Sequence, residues 1–270
     1  MTRYVIDARQ IRWNAAILRR ELHGVPVIGV VKCDAYGAGL LPVSRILLDE
    51  GAAALAVLHF HEAETLRRSG VGAPILMLTP AVTAAEADTV LRLDLTASVD
   101  GAQSCALLES AAERAGKTVP VHLMLDTGFG RFGWLPDETG ALLRDLKRCP
   151  RLRVEGLYSH LHDAYTARAK DVDRQRMLFT GTADALERAG LPVGVRHLAA
   201  TAAALRFPET RMDAVRVGSA FYGLLPFADK WGFCPVGHLE CEVSAVKIGR
   251  AHVRTPVTGS NLVCRLLLEK

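Results

Sequence analysis

The chain alternates repeatedly between short, apolar, β-rich runs and longer runs of helical period. An opening helix is predicted at residues 8–22, and eight candidate strands follow it. They cover residues 25–32, 53–58, 73–78, 94–99, 119–126, 153–160, 194–200 and 214–222. Runs such as VPVIGVV and APILML are apolar throughout, which is typical of strands covered on both faces. The pattern therefore predicts parallel strands that are connected by helices.

Amphipathic patterns fill the intervals between the candidate strands. The clearest of them lie at residues 60–70, 100–117, 137–146 and 172–189. Asp100 is predicted to cap the second of these helices. Eight such units within roughly 200 residues favour an α/β fold of the (β/α)₈ TIM-barrel type over an open doubly wound sheet.

Composition restricts the class of protein further. The chain has 270 residues, of which half are hydrophobic, so one large domain with a sizeable core is expected. No apolar run approaches the roughly 18 residues that a membrane span needs, and the first residues lack the apolar core of a signal peptide. We therefore expect a cytoplasmic protein without membrane partners. The six cysteines show no CxxC spacing, which argues for reduced thiols rather than a zinc site or a disulfide framework.

The net positive charge of the chain comes from its last 24 residues. The net charge is +4, and residues 247–270 carry five basic side chains and one acidic one, so the rest of the chain is neutral overall. This distribution gives no case for nucleic acid as a partner. The tail reads KIGRAHVRTPVTGSNLVCRLLLEK and resembles the translation of a common short-read sequencing adapter. We expect a non-native tail here, although an ordinary strand–turn–strand is an alternative, and we expect the natural protein to continue beyond Val246.

Polar residues at the carboxyl ends of the candidate strands are the candidates for chemistry, because barrel enzymes place their sites there. Lys32 closes the first apolar strand, where an amine can form a Schiff base or can simply reach out to solvent. Tyr36 follows it, either as a surface turn residue or as a donor to an anion. Arg131 follows the fifth strand in a glycine-rich loop; its planar guanidinium suits a carboxylate or phenolate oxygen, and the alternative is a surface arginine.

The later strands supply the rest of the candidate site. His160 and His162 are spaced like metal ligands, but no third ligand is evident, so a ring beside a cofactor or a core histidine is preferred. Thr201 is predicted to begin a helix, where a hydroxyl and backbone amides can bind phosphate or serve as an ordinary cap. Arg216 lies in an apolar strand and needs a partner.

Gly218 and Ser219 expose backbone amides after the eighth strand, next to the loop where phosphate often binds in these barrels. A Schiff-base amine, a phosphate cradle and two arginines at one barrel mouth form a set that fits pyridoxal 5′-phosphate. No metal is expected.

Five segments resemble the alanine racemases, which are fold-type III pyridoxal-phosphate enzymes. The segments are VVKCDAYGAG, LDTGFGRFG, YSHL, AATAAAL and VRVGSAFYG, within a similarity that runs from about Ile6 to Val246. The resemblance implies a pyridoxal-phosphate-dependent, homodimeric enzyme that interconverts L- and D-alanine with two bases. Lys32 would bind the cofactor and act as one base. A tyrosine of a C-terminal β-domain would be the other, acting across the dimer interface.

The same resemblance implies a role for each remaining candidate. Tyr36 would hydrogen-bond the phosphate, Arg131 would contact the phenolic oxygen, and His160 would lie beside the pyridine ring. Arg216 would pair with the pyridine nitrogen. The phosphate would also be held by Thr201, Gly218 and Ser219. The predicted domains are a cofactor-binding barrel at residues 1–230, the beginning of a truncated C-terminal β-domain at 231–246, and the tail at 247–270.

The chain departs from the family pattern at two positions of the predicted site. Met124 stands where many members carry a carbamylated lysine that orients the arginine, and Ala200 replaces the usual asparagine beside Thr201. Three other functions stay open: a non-catalytic pyridoxal-phosphate homeostasis protein, a racemase for another small amino acid such as serine, and a barrel enzyme without a cofactor. Because the second base would lie in the missing domain, the fragment itself is expected to be inactive or nearly so.

Overall fold

The computed structural model describes residues 2–166 and 168–242. The strands of this part are β1 Arg3–Ile6, β2 Val27–Val30, β3 Ala54–Val57, β4 Ile75–Met77, β5 Ala97–Val99, β6 Val119–Met124, β7 Leu152–Tyr158, β8 Val195–His197, β9 Val215–Val217 and β10 Gly237–Glu240. All eight candidate strands are present as β2 to β9. They are shorter than predicted, because residues at their ends leave the sheet and enter the loops.

The helices alternate with the strands along the chain. They are α1 Ala8–Leu22, α2 Lys32–Tyr36, α3 Leu40–Asp49, α4 Phe60–Arg68, α5 Ala84–Arg92, α6 Ala102–Ala115, α7 Thr139–Lys147, α8 Ala169–Arg188 and α9 Thr201–Arg206. Four 3₁₀ turns cover Pro136–Glu138, Pro208–Thr210, Ser219–Tyr222 and Ala228–Lys230. Among these described helices, none has both the length and the apolar content that crossing a membrane requires.

Strands β2 to β9 form a closed ring in which all neighbours are parallel. Two runs of four strands, β4-β3-β2-β9 and β5-β6-β7-β8, are hydrogen-bonded ladders. Parallel bridges between Leu76 and Thr96 and between Ala200 and Arg216 join the two runs at both seams. The predicted (β/α)₈ barrel is therefore confirmed, and the ring brings the carboxyl ends of all eight strands to one face.

The prediction for the start of α6 was wrong by one residue. Gly101, and not Asp100, occupies the cap position. The Asp100 carboxylate instead accepts a hydrogen bond from the Ser104 hydroxyl at 2.8 Å. Since Ser104 also contacts the Gly101 carbonyl, the first turn is closed by a side chain from within the helix.

A two-stranded antiparallel pair lies outside the ring. Strand β10 pairs with β1, with Arg3 opposite Glu240 and Ile6 opposite Gly237. The residues expected to begin a second domain thus include a strand that is hydrogen-bonded to the amino-terminal strand. The predicted boundary at residue 230 stays a prediction. The predicted tail at 247–270 lies outside the described residues.

The interior of the barrel is divided into an apolar half and a polar half. Ile28, Val30, Ala56, Leu76 and Ala214 form an apolar cluster of their own, apart from the larger core between sheet and helices. The side chains contributed by β5 to β9 are largely polar. They are Ser98, His122, Tyr158, His197 and Arg216.

A hydrogen-bonded chain connects the polar residues of the interior. His197 Nδ1 lies 2.8 Å from Arg216 Nη1, and His197 Nε2 lies 2.8 Å from His122 Nδ1. A guanidinium only donates, so His197 Nδ1 must accept and its proton must lie on Nε2. His197 therefore donates to His122. The donor-to-acceptor direction of both hydrogen bonds follows from the charge of Arg216.

Both histidines of this hydrogen-bonded series, His122 and His197, are held in the neutral form. Burial, and then the positive charge of Arg216, lowers the pKa of His122 to about 4. The same two causes, followed by the neighbouring His122, lower the pKa of His197 well below its ordinary value. A neutral imidazole is the form that can accept from Arg216 and donate onward.

Gly156 on β7 leaves room for the His122 ring. A Cβ at residue 156 would lie 2.7 Å from the ring carbons of His122, a separation that van der Waals repulsion forbids. The ring cannot easily withdraw, because His197 holds its Nδ1.

We predict that Gly156→Ala lowers the free energy of unfolding by about 1–3 kcal/mol, since overpacking displaces the hydrogen-bonded ring. Gly181→Ala is the matched control. Gly181 lies in α8 with open space around it, so alanine should be neutral or stabilising there. Urea unfolding of both variants measures the difference. Equal stability of the two variants would contradict the close packing of His122 on Gly156.

We also predict that acid destabilises the fold between about pH 6.5 and pH 4. Unfolded histidines bind protons in this window, whereas folded His122, with its pKa of about 4, does not. His122→Gln keeps an acceptor for His197 and removes one such group. As the pH falls through this window, the free energy of unfolding of the variant should decrease less steeply than that of the wild type. The two slopes should differ by up to about 1.4 kcal/mol per pH unit. Parallel slopes in urea titrations would show that folded His122 titrates normally.

Candidate active site

A cavity of about 650 Å³ opens at the carboxyl ends of the barrel strands. All eight residues that the sequence analysis selected line this one cavity. They are Lys32, Tyr36, Arg131, His160, Thr201, Arg216, Gly218 and Ser219. The volume falls in the range of small-molecule and cofactor sites. The ring of parallel strands is what brings these residues together from positions 32 to 219.

Lys32 begins a short turn with left-handed backbone geometry. The four residues after it, from Cys33 to Tyr36, have φ values between 53° and 57°. Left-handed geometry costs a residue with a side chain roughly 1–2 kcal/mol. A run of this kind persists only where the surroundings determine it, and such runs concentrate at functional sites. The backbone amides of Ala35 and Gly37 close the turn on Val31 and Cys33.

Tyr36, Gly218 and Thr201 meet at one end of the cavity. A Cβ on Gly218 would collide with the Tyr36 hydroxyl, so glycine is required for this close approach. The Gly218 amide donates to Thr201 Oγ1 at 3.1 Å, which leaves the threonine hydroxyl hydrogen to be donated elsewhere. Partial burial raises the pKa of Tyr36 to about 12, so its phenol is also a donor at neutral pH.

The structure modifies two expectations for this end of the cavity. The Gly218 amide was expected to be available for phosphate, but it is engaged by Thr201. Thr201 is the first residue of α9, and Ala200 occupies the cap position, so the hydroxyl does not cap its own helix. The Ser219 hydroxyl lies 3.4 Å from that of Tyr165, which also lines the cavity.

Arg216 is 4% exposed and lies in the wall of the cavity. Its Nη2 donates to the carbonyl oxygens of Ser159 and Leu198, and its Nη1 contacts both the ring and the carbonyl of His197. Burial lowers the pKa of Arg216 to about 10, which still leaves the side chain charged at neutral pH. A ligand atom beside it therefore meets a fixed donor that keeps its proton.

The loop that carries Arg131 is folded around one carboxylate. Asp126 accepts hydrogen bonds from the amides of Gly128, Phe129 and Gly130. Burial alone would raise the pKa of Asp126, but these bonds outweigh it and lower the pKa below its ordinary value. The loop is thereby held in a form that directs Arg131 to the cavity.

Aromatic faces, and not an anion, contact the Arg131 guanidinium in the described part of the chain. Its central carbon lies 4.5 Å from the ring centre of Phe129 and 5.7 Å from that of Phe132. Cation–π contacts of this kind attract and orient a guanidinium. Met124, at the position where the family resemblance implies a carbamylated lysine, is buried at the cavity wall and carries no charge for Arg131.

His160 lies at the edge of the Phe129 ring, with ring centres 5.0 Å apart. Burial lowers its pKa to about 3, with further contributions from the charges of Arg216, Arg131 and Lys32. The ring is neutral, and its Nδ1 lies 3.5 Å from Arg216 Nη2. His162 also lines the cavity. No group of three potential metal ligands occurs among residues 2–166 and 168–242.

Sequence reasoning missed several residues that support the site from behind. Glu62 is a buried carboxylate whose hydrogen bonds reach the Lys32 turn. Tyr158 stacks on His197 and hydrogen-bonds Ser98. The sequence signal for His197 and Ser98 was a polar residue within a short apolar strand, the same signal that selected Arg216.

Comparisons with known proteins agree with the geometry of the barrel. The family model for the alanine racemase N-terminal domain matches residues 6–226. An alanine racemase of Beutenbergia cavernae is 40% identical over 254 residues, 91% of this chain and 66% of the relative. One from Clostridium tetani is 32% identical over 249 residues, 90% of this chain and 64% of the relative.

The barrel also superposes on solved structures of alanine racemases. The crystal structure of alanine racemase from D-cycloserine-producing Streptomyces lavendulae superposes with a TM-score of 0.80 at 30% identity, covering 88% of this chain and 64% of that one. The Bacillus anthracis enzyme with bound L-Ala-P gives 0.81 at 30% identity, with 88% and 63% covered. The chain thus spans just under two thirds of the curated relatives it matches. By the match over residues 6–226, it belongs to the alanine racemase N-terminal domain family.

Proposed function

We propose that this chain is the pyridoxal-phosphate-binding barrel of an alanine racemase, which interconverts L- and D-alanine. The observation that carries the proposal is the arrangement of one cavity, in which Lys32, Arg216, Tyr36 and Thr201 line a common space. The names of the relatives support alanine as the substrate. The whole reaction is proposed for the full-length protein, of which this chain resembles the larger part.

The residues present fit pyridoxal phosphate by the chemistry of their donors. An aldehyde needs an amine, which is Lys32, and a phosphate needs several hydrogen-bond donors at one end of the cavity. Tyr36, Thr201 and Ser219 would supply those donors. Tyr36 reaches this end of the cavity because Gly218 has no Cβ to obstruct its hydroxyl. The cofactor would supply an electron sink that stabilises a carbanion at the substrate α-carbon.

Lys32 would hold the cofactor aldehyde and, when released, would move a proton to and from one face of the substrate. The left-handed turn directs the following Tyr36 back to the phosphate end, so the amine and the phenol face the same space. The second base would come from the C-terminal portion that the relatives possess, as a tyrosine of the partner subunit in a homodimer.

Arg216 would pair with the pyridine nitrogen and would keep it unprotonated. The side chain remains charged at pH 7, since its pKa is about 10. A donor that keeps its proton leaves the nitrogen as an acceptor. Arg131, held against Phe129, would meet the phenolic oxygen, and the neutral His160 would lie beside the ring.

We predict that borohydride reduction in the presence of pyridoxal phosphate attaches the cofactor to Lys32. Peptide mass spectrometry after reduction should find the modification on this residue in the wild type and lose it in Lys32→Ala. Lys117→Ala, at an exposed lysine after α6, is the control and should keep the modification. A cofactor still trapped with equal yield in Lys32→Ala, at another lysine, would overturn the assignment of the amine.

We further predict that alanine competes with Lys32 for the cofactor. A racemase barrel should transfer its cofactor from Lys32 to the substrate amine, so adding alanine before reduction should lower the trapped fraction on Lys32 several-fold. Serine at the same concentration tests the alternative substrate: an equal or larger decrease with serine would favour a serine racemase. A trapped fraction that neither amino acid changes would favour a non-catalytic carrier.

A further inference from the structure

Glu62 occupies the third position of α4 and is 2% exposed. Its Oε2 accepts hydrogen bonds from the backbone amides of Leu58 at 3.1 Å and His59 at 3.0 Å. A glutamate at this position ordinarily satisfies the free amides at the start of its own helix. This part of its bonding is helix capping.

The other oxygen of Glu62 reaches a different element. Its Oε1 accepts a hydrogen bond from the backbone amide of Asp34 at 3.2 Å. Asp34 is the second residue after Lys32 and lies in the middle of the left-handed turn, with φ 53°. One buried carboxylate therefore joins the loop after β2 to the loop after β3 at the mouth of the barrel.

Glu86 is a glutamate that makes the capping hydrogen bonds of Glu62 without a contact to the turn. It occupies the same position in α5, and its Oε2 accepts from the amides of Val82 at 2.9 Å and Thr83 at 3.1 Å. This carboxylate is only partly buried and serves only its own helix among the described residues. The burial of Glu62 and its contact with Asp34 are thus additional to the capping role.

Asp34 is fixed from its other side as well. Its carboxylate accepts from the Leu40 amide at 2.7 Å, and its carbonyl accepts from the Gly39 amide at 3.0 Å. With its amide on Glu62, the centre of the strained turn is held at three points. Lys32 and Tyr36 lie two residues before and two residues after this centre, so its position sets the direction of both side chains.

We propose that Glu62 is a positioning residue, which holds the left-handed turn so that the Lys32 amine and the Tyr36 phenol face the cofactor cavity. This role rests on the proposed function, because it assigns Glu62 to the placement of the cofactor-binding lysine. A glutamine keeps the size of the side chain but loses the charge and turns an amide N–H₂ toward one set of backbone donors.

The test compares Glu62→Gln with Glu86→Gln, which removes the same charge from the same helix position without touching the turn. Hydrogen–deuterium exchange of the ligand-free chain should be faster by about tenfold for amides of residues 34–39 in Glu62→Gln, as expected when a charge-assisted hydrogen bond is lost. It should be unchanged there in Glu86→Gln. Wild-type exchange in this segment of Glu62→Gln would overturn the proposal.

The second readout is the rate at which pyridoxal phosphate becomes trapped on Lys32 by borohydride. Glu62→Gln should slow it by about tenfold, and Glu86→Gln should leave it within about twofold of the wild type. Glu62→Asp, which keeps the charge on a shorter arm, provides the comparison if the glutamine variant fails to fold, and the same slow trapping is expected. Normal trapping in a folded Glu62 variant overturns the positioning role while the proposed function stands. Absence of trapping in the wild type overturns the proposed function and this role together.

Discussion

One buried positive charge organises the interior of this barrel. The Arg216 guanidinium is surrounded by the carbonyl oxygens of Ser159, His197 and Leu198 and by the His197 ring. Because it only donates, it sets the tautomer of His197, and through it that of His122. Burial, and then the charge of Arg216, lowers the pKa values of His122, His160 and His197 and keeps these rings neutral. Arg216 is therefore a fixed cation among neutral histidines.

The segment after β2, the strand that neighbours β9 in the ring, depends on strained backbone geometry. Four consecutive residues after Lys32 adopt left-handed geometry, and they do so because hydrogen bonds from neighbouring loops hold them there. At the end of this turn, the Tyr36 hydroxyl approaches the backbone of Gly218, which is possible because glycine has no Cβ. A buried charge at Arg216, a strained turn after Lys32 and a missing side chain at Gly218 thus shape one cavity. All three lie at or near the carboxyl ends of parallel strands.

Much of this architecture was predictable from the sequence, for identifiable reasons. Apolar strands at regular spacing identified all eight barrel strands, and the rule that sites lie at strand ends selected eight residues that line one cavity. The left-handed turn was not predictable, because Cys33 and Ala35 disfavour this geometry and only tertiary contacts impose it on the whole run. Glu62 was also missed, since a glutamate at the start of a helix resembles any capping residue until its second oxygen is located. The aromatic support of Arg131 in place of an anion likewise depends on loop geometry that spacing does not reveal.

We propose that Arg216 keeps the pyridine nitrogen of pyridoxal phosphate unprotonated while Lys32 holds the aldehyde of the same molecule. The most direct measurement is the ¹⁵N NMR spectrum of the chain loaded with pyridoxal phosphate labelled at the ring nitrogen. At neutral pH, we expect the chemical shift of a neutral pyridine that accepts a hydrogen bond. A pyridinium shift in the bound cofactor would contradict it, because a protonated nitrogen cannot accept from the guanidinium.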